Sequence, residues 1–184
     1  GPINLDMSSF NPTEISTAAF SLMFFSNSGP INLDMSGLIS PTLVENSFDD
    51  MFKENKGSIN LDMSSFNPTT VDSGALTGMF NSNSGQISLD MSSFNPTGDI
   101  ESHAFSQMFN VNSGPISLDM SSFNPTDTIV SGAFSHMFDR NSGPINLDMS
   151  SFNLTGTSEN YAFSDMFFSN SGPINLDMSS FNPT

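Results

Sequence analysis

A repeat solenoid is the fold class this sequence predicts, with one parallel β-strand and one short helix or helical turn per repeat. Three observations predict it. The phrase Gly-Pro-Ile-Asn-Leu-Asp-Met-Ser-Ser-Phe-Asn-Pro-Thr opens the chain at Gly1 and closes it at Thr184, and edited copies start at Gly29, Gly57, Gly85, Gly114 and Gly143. Successive starts lie 28, 28, 28, 29, 29 and 29 residues apart, a self-similarity that marks stacked units rather than one globular core. Within each unit, a stretch of period two precedes a stretch of helical period. The predicted units are residues 1–28, 29–56, 57–84, 85–113, 114–142, 143–171 and the half-unit 172–184.

The strand comes first. Ile3-Asn4-Leu5-Asp6-Met7-Ser8 alternates apolar and polar side chains, the period of a half-buried strand. Seven such segments, Ile3–Met7 through Ile174–Met178, are expected to pair as one parallel sheet with neighbours about 4.8 Å apart. Phe10 adds an apolar anchor. Asn11-Pro12-Thr13 then ends the strand, since proline donates no ladder bond.

The helical turn follows. Phe20, Met23 and Phe24 are spaced i, i+3, i+4, one face of a short helix. Asn27-Ser28-Gly29 turns the chain into the next strand, and its asparagine is expected to close that turn through side chain to backbone bonds. Stacking turns each apolar position into a column. All 13 Met fall on two columns, and every Phe except Phe25 and Phe168 falls on one of three.

Composition narrows the partners. Formal charge is −16 because Lys53, Lys56 and Arg140 are the only basic side chains against 19 acidic ones. Nucleic-acid binding needs phosphate neutralisation, so no nucleic-acid partner is expected. No apolar run approaches the length of a membrane span, so none is expected in this segment. With no Cys, disulfides and thiolate metal sites are excluded. His103 and His136 sit at different phases of the repeat, and no nucleophile elbow, P-loop or zincin motif is present, so no catalytic residue is assigned and no enzyme is expected.

Two surfaces are candidates for function. The outer face of the sheet is expected to carry three polar rows. The first is Asn4, Asn32, Asn60, Ser88, Ser117, Asn146 and Asn175. The second is Asp6, Asp34, Asp62, Asp90, Asp119, Asp148 and Asp177. The third is the serines from Ser8 to Ser179. Adjacent carboxylates at strand spacing repel by roughly 0.9 kcal/mol in water. Hydrogen bonds from neighbouring groups, partial protonation or bound cations could offset this. Ca²⁺ is the one cofactor the row allows, but no loop has the ligand order of a dedicated Ca²⁺ site, so no metal ligands are assigned. The second candidate is the stretch that varies between units: Glu14–Ala18, Leu43–Ser47, Thr70–Gly74, Gly98–His103, Asp127–Gly132 and Gly156–Tyr161. It reads as unconstrained surface or as a face that carries specificity, and it holds the only tyrosine, Tyr161. Asn153-Leu154-Thr155 is the one glycosylation sequon, because proline follows the equivalent asparagines.

The run I-x-L-D-M-S-S-F-N followed by A-F-S-x-M-F resembles the BspA-like leucine-rich repeats of bacterial surface proteins, and the resemblance covers the whole chain. It implies a leucine-rich-repeat-like solenoid and a secreted or surface-anchored protein engaged in adhesion or partner binding. The sequence departs from that family in two ways. Asn-Ser, as at Asn27-Ser28, stands where the family often has Gly-Cys, and the repeat exceeds the family's roughly 25 residues. Neither end of the chain carries an atypical, polar unit of the kind that caps a solenoid, so a slice of a longer array is expected. The expected function is a non-enzymatic extracellular stalk, filament or adhesive coat that associates with itself end to end or with a surface protein or polysaccharide. The alternative is a module that recognises a polymeric or crystalline target through the Asn-Asp-Ser face, assisted by Ca²⁺.

Overall fold

The computed structural model describes residues 1–13, 15–39 and 42–181. It is a parallel β-solenoid. Nine strands follow in chain order: β1 Ile3–Asp6, β2 Ile31–Asp34, β3 Thr42–Leu43, β4 Ile59–Asp62, β5 Thr70–Val71, β6 Ile87–Asp90, β7 Ile116–Asp119, β8 Ile145–Asp148 and β9 Ile174–Asp177. Seven of them form one parallel sheet in the order β1-β2-β4-β6-β7-β8-β9. The register places Ile on Ile, Leu on Leu and Asp on Asp in every neighbouring pair. Ile and Leu point inward, so a slip of one residue would expose the core face.

Each strand stops at its Asp, before the Met expected to end it. The Asp side chain accepts the N–H two residues on, which turns the chain out of the sheet. The Phe10 N–H then bonds the Met7 carbonyl at 2.8 Å, and the same turn recurs at Leu38, Phe66, Phe94, Phe123, Phe152 and Phe181.

A second, narrower ladder runs through the variable stretches, where only loops were expected. β3 pairs with β5 in parallel, and single bridges carry the ladder on through Val71, Ile100, Ile129 and Ser158. Ile15, Leu43, Val71, Ile100 and Ile129 form an additional buried column behind it. Glu14, at the start of the first variable stretch, and Asn182, in the last Asn-Pro-Thr turn, lie outside the described residues.

The expected helical turn is not a helix. Among the described residues the segment from Ala-Phe to Met-Phe is a ribbon of overlapping β-turns. In the second coil, the N–H groups of Ser47, Asp49, Met51 and Lys53 bond the carbonyls three residues back at 3.1–3.2 Å. Those of Asn46, Phe48, Asp50, Phe52 and Glu54 instead donate to the next coil, reaching Ser73, Ala75, Thr77, Met79 and Asn81. Every fourth residue is left-handed, with φ of 54° at Asn46, 53° at Asp50 and 62° at Glu54. A period of four puts residues i, i+3 and i+4 on one side, as a helix does. The packing expectation for Phe48, Met51 and Phe52 therefore survives, and all three are fully buried, while the backbone is different. An α-helix would bond its amides internally; here half of them tie one coil to the next.

Glycine occupies the left-handed position at Gly74, Gly78 and Gly132, and Val111 occupies it with φ of 59° on an exposed site. A β-branched residue is strained there. Val111→Gly is therefore expected to stabilise the fold by about 0.5–1 kcal/mol, after the greater chain entropy of unfolded glycine is subtracted. Urea denaturation of the variant beside the parent chain measures this.

The core is a set of axial columns. Phe24, Phe52, Phe80, Phe109, Phe138 and Phe167 stack with ring centroids 5.1–5.3 Å apart. A second column meets a third edge-on, as where Phe94 touches Phe105 at 5.6 Å and 78°. Rings in such offset and T-shaped contacts gain beyond the area they bury. Alongside runs a buried asparagine ladder. The N–H groups of Asn27, Asn55, Asn83, Asn112 and Asn141 each donate to the side-chain oxygen of the equivalent asparagine one coil on. The Asn83 and Asn141 amides also donate to Phe80 and Phe138 carbonyls at 2.8 Å. These asparagines do close the turn, and they also join successive coils.

Candidate functional site

The outer face of the seven-stranded sheet carries two of the three expected polar rows, the Asn/Ser row and the Asp row; the serines from Ser8 to Ser179 sit instead in the turn beyond the strand ends. Asn4, Asn32, Asn60, Asn146 and Asn175 are exposed, and the carboxylates from Asp34 to Asp148 are partly so. A pleated strand with Ile and Leu inside must present these alternate residues outward. Amide to amide bonds join Asn32 to Asn4 at 2.7 Å and Asn175 to Asn146 at 2.6 Å. Ser88 and Ser117 interrupt the amide row between them.

The Asp row has a local structural task. In each of the seven strands of this sheet the Asp Oδ1 accepts the backbone N–H of the serine two residues on, at 2.9–3.0 Å. Ser8 and Ser36 add their hydroxyls at 2.6 Å. These are Asx-turns. For Asp6 the Ser8 hydroxyl, then the Ser8 N–H, hold the carboxyl below its ordinary range. Of the ways to offset repulsion along the row, hydrogen bonding is therefore in place. A shallow trough of about 370 Å³ lies over Asn4, Asp6, Asn32, Asp34, Asn60 and Asp62. Among the described residues no group of three or more His, Cys, Asp or Glu side chains is placed to hold a metal ion.

The other titratable groups are spread over the ribbon side. Lys53 pairs with Asp50 at 2.7 Å. His136 lies 3.5 Å from Asp139 and 3.9 Å from Asp165, and Arg140 also approaches Asp139. His103 belongs to a different column, where its Nδ1 meets Ser102 Oγ at 2.7 Å. The two histidines are not brought together. Burial, then the neighbouring Asp50, pushes Asp49 up, and burial with Glu45 pushes Asp72 up. No membrane-crossing helix is found among the described residues.

Asn153 belongs to a second, more open asparagine ladder. Its N–H donates to the Asn124 side-chain oxygen at 3.3 Å, as Asn124 does to Asn95 at 2.9 Å and Asn95 to Asn67 at 2.8 Å. Its side chain is half-buried, so a glycan there would grow from a position that serves the fold in the coils before it.

Tyr161 stands on the outside of the sixth coil with 76% of its surface exposed. It lines an open hollow with Ser131, Ser158, Glu159 and Asn160; all five belong to the variable stretches Asp127–Gly132 and Gly156–Tyr161, though the sequence did not show that the two meet. The signal for the hollow was indirect: glycine stands at Gly132, one coil earlier in the column of Tyr161. Comparisons with family models, with curated proteins and with solved structures return no match.

Proposed function

We propose that the chain is a non-enzymatic structural and interaction array at the cell exterior, acting as a stalk, filament or adhesive coat. The observation that carries this reading is the uniformity of the coil. The same Ile, Leu, Met, Phe and Asn columns run along the solenoid, so length can be added without new chemistry. The likeness of L-D-M-S-S-F and M-F to the BspA-like leucine-rich repeats supports the surface location and the adhesive role. Self-association is the part most open to test. Purified protein is expected to form rods whose length in electron micrographs, and mass in sedimentation, grow with concentration. A single monomeric species at all concentrations would overturn it.

A second reading is favoured by the trough over Asn4 to Asp62. There the sheet face docks a polymeric target, and the free oxygen of each Asp is available to it or to Ca²⁺. Retention on insoluble polysaccharide, lost in Asn32→Lys, supports this reading. Calorimetric titration with Ca²⁺ that gives no heat removes the cation from it.

A further inference from the structure

We propose that the hollow beside Tyr161 binds a neutral saccharide, with the tyrosine ring as its platform. The hollow measures about 580 Å³ and spans two coils, with Ser131 on one and Ser158, Glu159, Asn160 and Tyr161 on the other. It lies outside the face of the seven-stranded sheet, and the proposal holds whether or not copies associate.

The platform is fixed by the fold. Tyr161 takes a left-handed backbone with φ of 66°, unusual for a bulky residue and imposed here by the ribbon. Its carbonyl accepts the Ser164 N–H at 3.0 Å, and the Glu159 carbonyl accepts the Ala162 N–H at 3.3 Å. The preceding coil has Gly132 at the equivalent position, so no side chain rises there. The His103 ring, one coil further back, leans over Gly132, 3.2 Å from where a Cβ would stand. His103 and Tyr161 thus flank a coil that is bare at that column. Tyr161 makes no ring contact among the described residues, which leaves the ring available to a ligand.

The polar groups match a sugar. Glu159 Oε2 accepts the Ser131 N–H at 3.0 Å, which holds the carboxylate in place, while Oε1 has no partner among the described residues. Asn160 offers both donor and acceptor, and the two serines offer hydroxyls. A pyranose has an apolar C–H face for the ring and an edge of hydroxyls that donate and accept. An anionic ligand is disfavoured by Glu159 and by the net charge of −16. An apolar small molecule would need a more enclosed pocket. One ring and a shallow hollow bring the expected affinity to about millimolar.

The test uses the composition of the chain. Tyr161 is the only tyrosine and there is no tryptophan, so tyrosine emission reports this site alone. Titration with cellotetraose, xylotetraose and N-acetylchitotetraose is expected to give a saturable change with at least one of them. Calorimetry with that sugar should show binding weakened about tenfold in Tyr161→Ala and kept within about threefold in Tyr161→Phe. Circular dichroism confirms that the exposed substitutions leave the fold intact. No saturable change with any of the three sugars, or undiminished binding by Tyr161→Ala, overturns the proposal. Binding of tetralysine in place of all three sugars overturns it too, by assigning the hollow to cations.

Discussion

Asn83→Ala is expected to destabilise the solenoid by about 3–5 kcal/mol. The side chain is 1% exposed and serves two coils at once. Its oxygen accepts the Asn55 N–H, and its amide donates to the Phe80 carbonyl at 2.8 Å. Truncation leaves both backbone groups buried without partners, and each such orphan costs about 1–3 kcal/mol. Asn67→Ala supplies the comparison. Asn67 accepts one bond, from the Asn95 N–H at 2.8 Å, on an exposed site. Water can replace that bond, so the expected loss is about 1 kcal/mol or less. Urea denaturation of both variants measures the difference. Equal midpoints would show that the buried ladder does not hold the coils together.

Gly114→Ala is expected to cost about 3 kcal/mol for a different reason. A Cβ there would lie 2.1 Å from the Gly85 carbonyl oxygen and 2.7 Å from that of Ser84. Both are backbone atoms of the preceding coil, so no rotamer change relieves the contact. The coils must separate, and the Phe and Asn columns stretch with them. The same close approach recurs at Gly29, Gly57, Gly85, Gly143 and Gly172. Gly132→Ala is the contrast. Its Cβ would meet only the tip of the His103 ring at 3.2 Å, which can move, so the left-handed backbone sets a cost of about 1 kcal/mol. Hydrogen exchange should show loss of protection centred on Gly85 and Gly114 in the first variant and little change in the second.

These two kinds of glycine show where the sequence was legible. The strand alternation in Ile-Asn-Leu-Asp fixes which side faces the core, because a period of two has no competing interpretation. The spacing of Phe20, Met23 and Phe24 did have one. A helix of period 3.6 and a turn ribbon of period 4 differ by less than half a residue over one turn, so the apolar pattern alone cannot separate them. Gly74 and Gly78 could have done so. Glycine recurring at four residues is costly in a helix and natural where φ is positive. The second ladder was hidden by the changing residues around it, yet Ile15, Leu43, Val71, Ile100 and Ile129 keep one apolar position in constant phase. On the sheet face, the identity of the rows was legible and the task of Asp was not. An Asx-turn is made to a backbone N–H, here that of the serine two residues on, and a backbone N–H leaves no mark in the sequence. The hollow at Tyr161 depends on two coils meeting across 29 residues, as Ser131 and Asn160 do, and on one of them lacking a side chain.

The ribbon gives the solenoid an electrical direction. Its inter-coil bonds all run one way: the N–H belongs to the earlier coil and the carbonyl to the later one, from Phe20 to Ser47 through Phe138 to Met166. Each peptide carries a dipole of about 3.5 D, and aligned dipoles add, as they do along an α-helix. Here they add along the stacking axis instead of along the chain. The positive pole points towards the later coils and the negative pole towards the earlier ones, and every coil in register extends the column. For two such rods lying side by side the dipole term therefore favours opposed axes over parallel ones, on top of the repulsion between two chains of net charge −16.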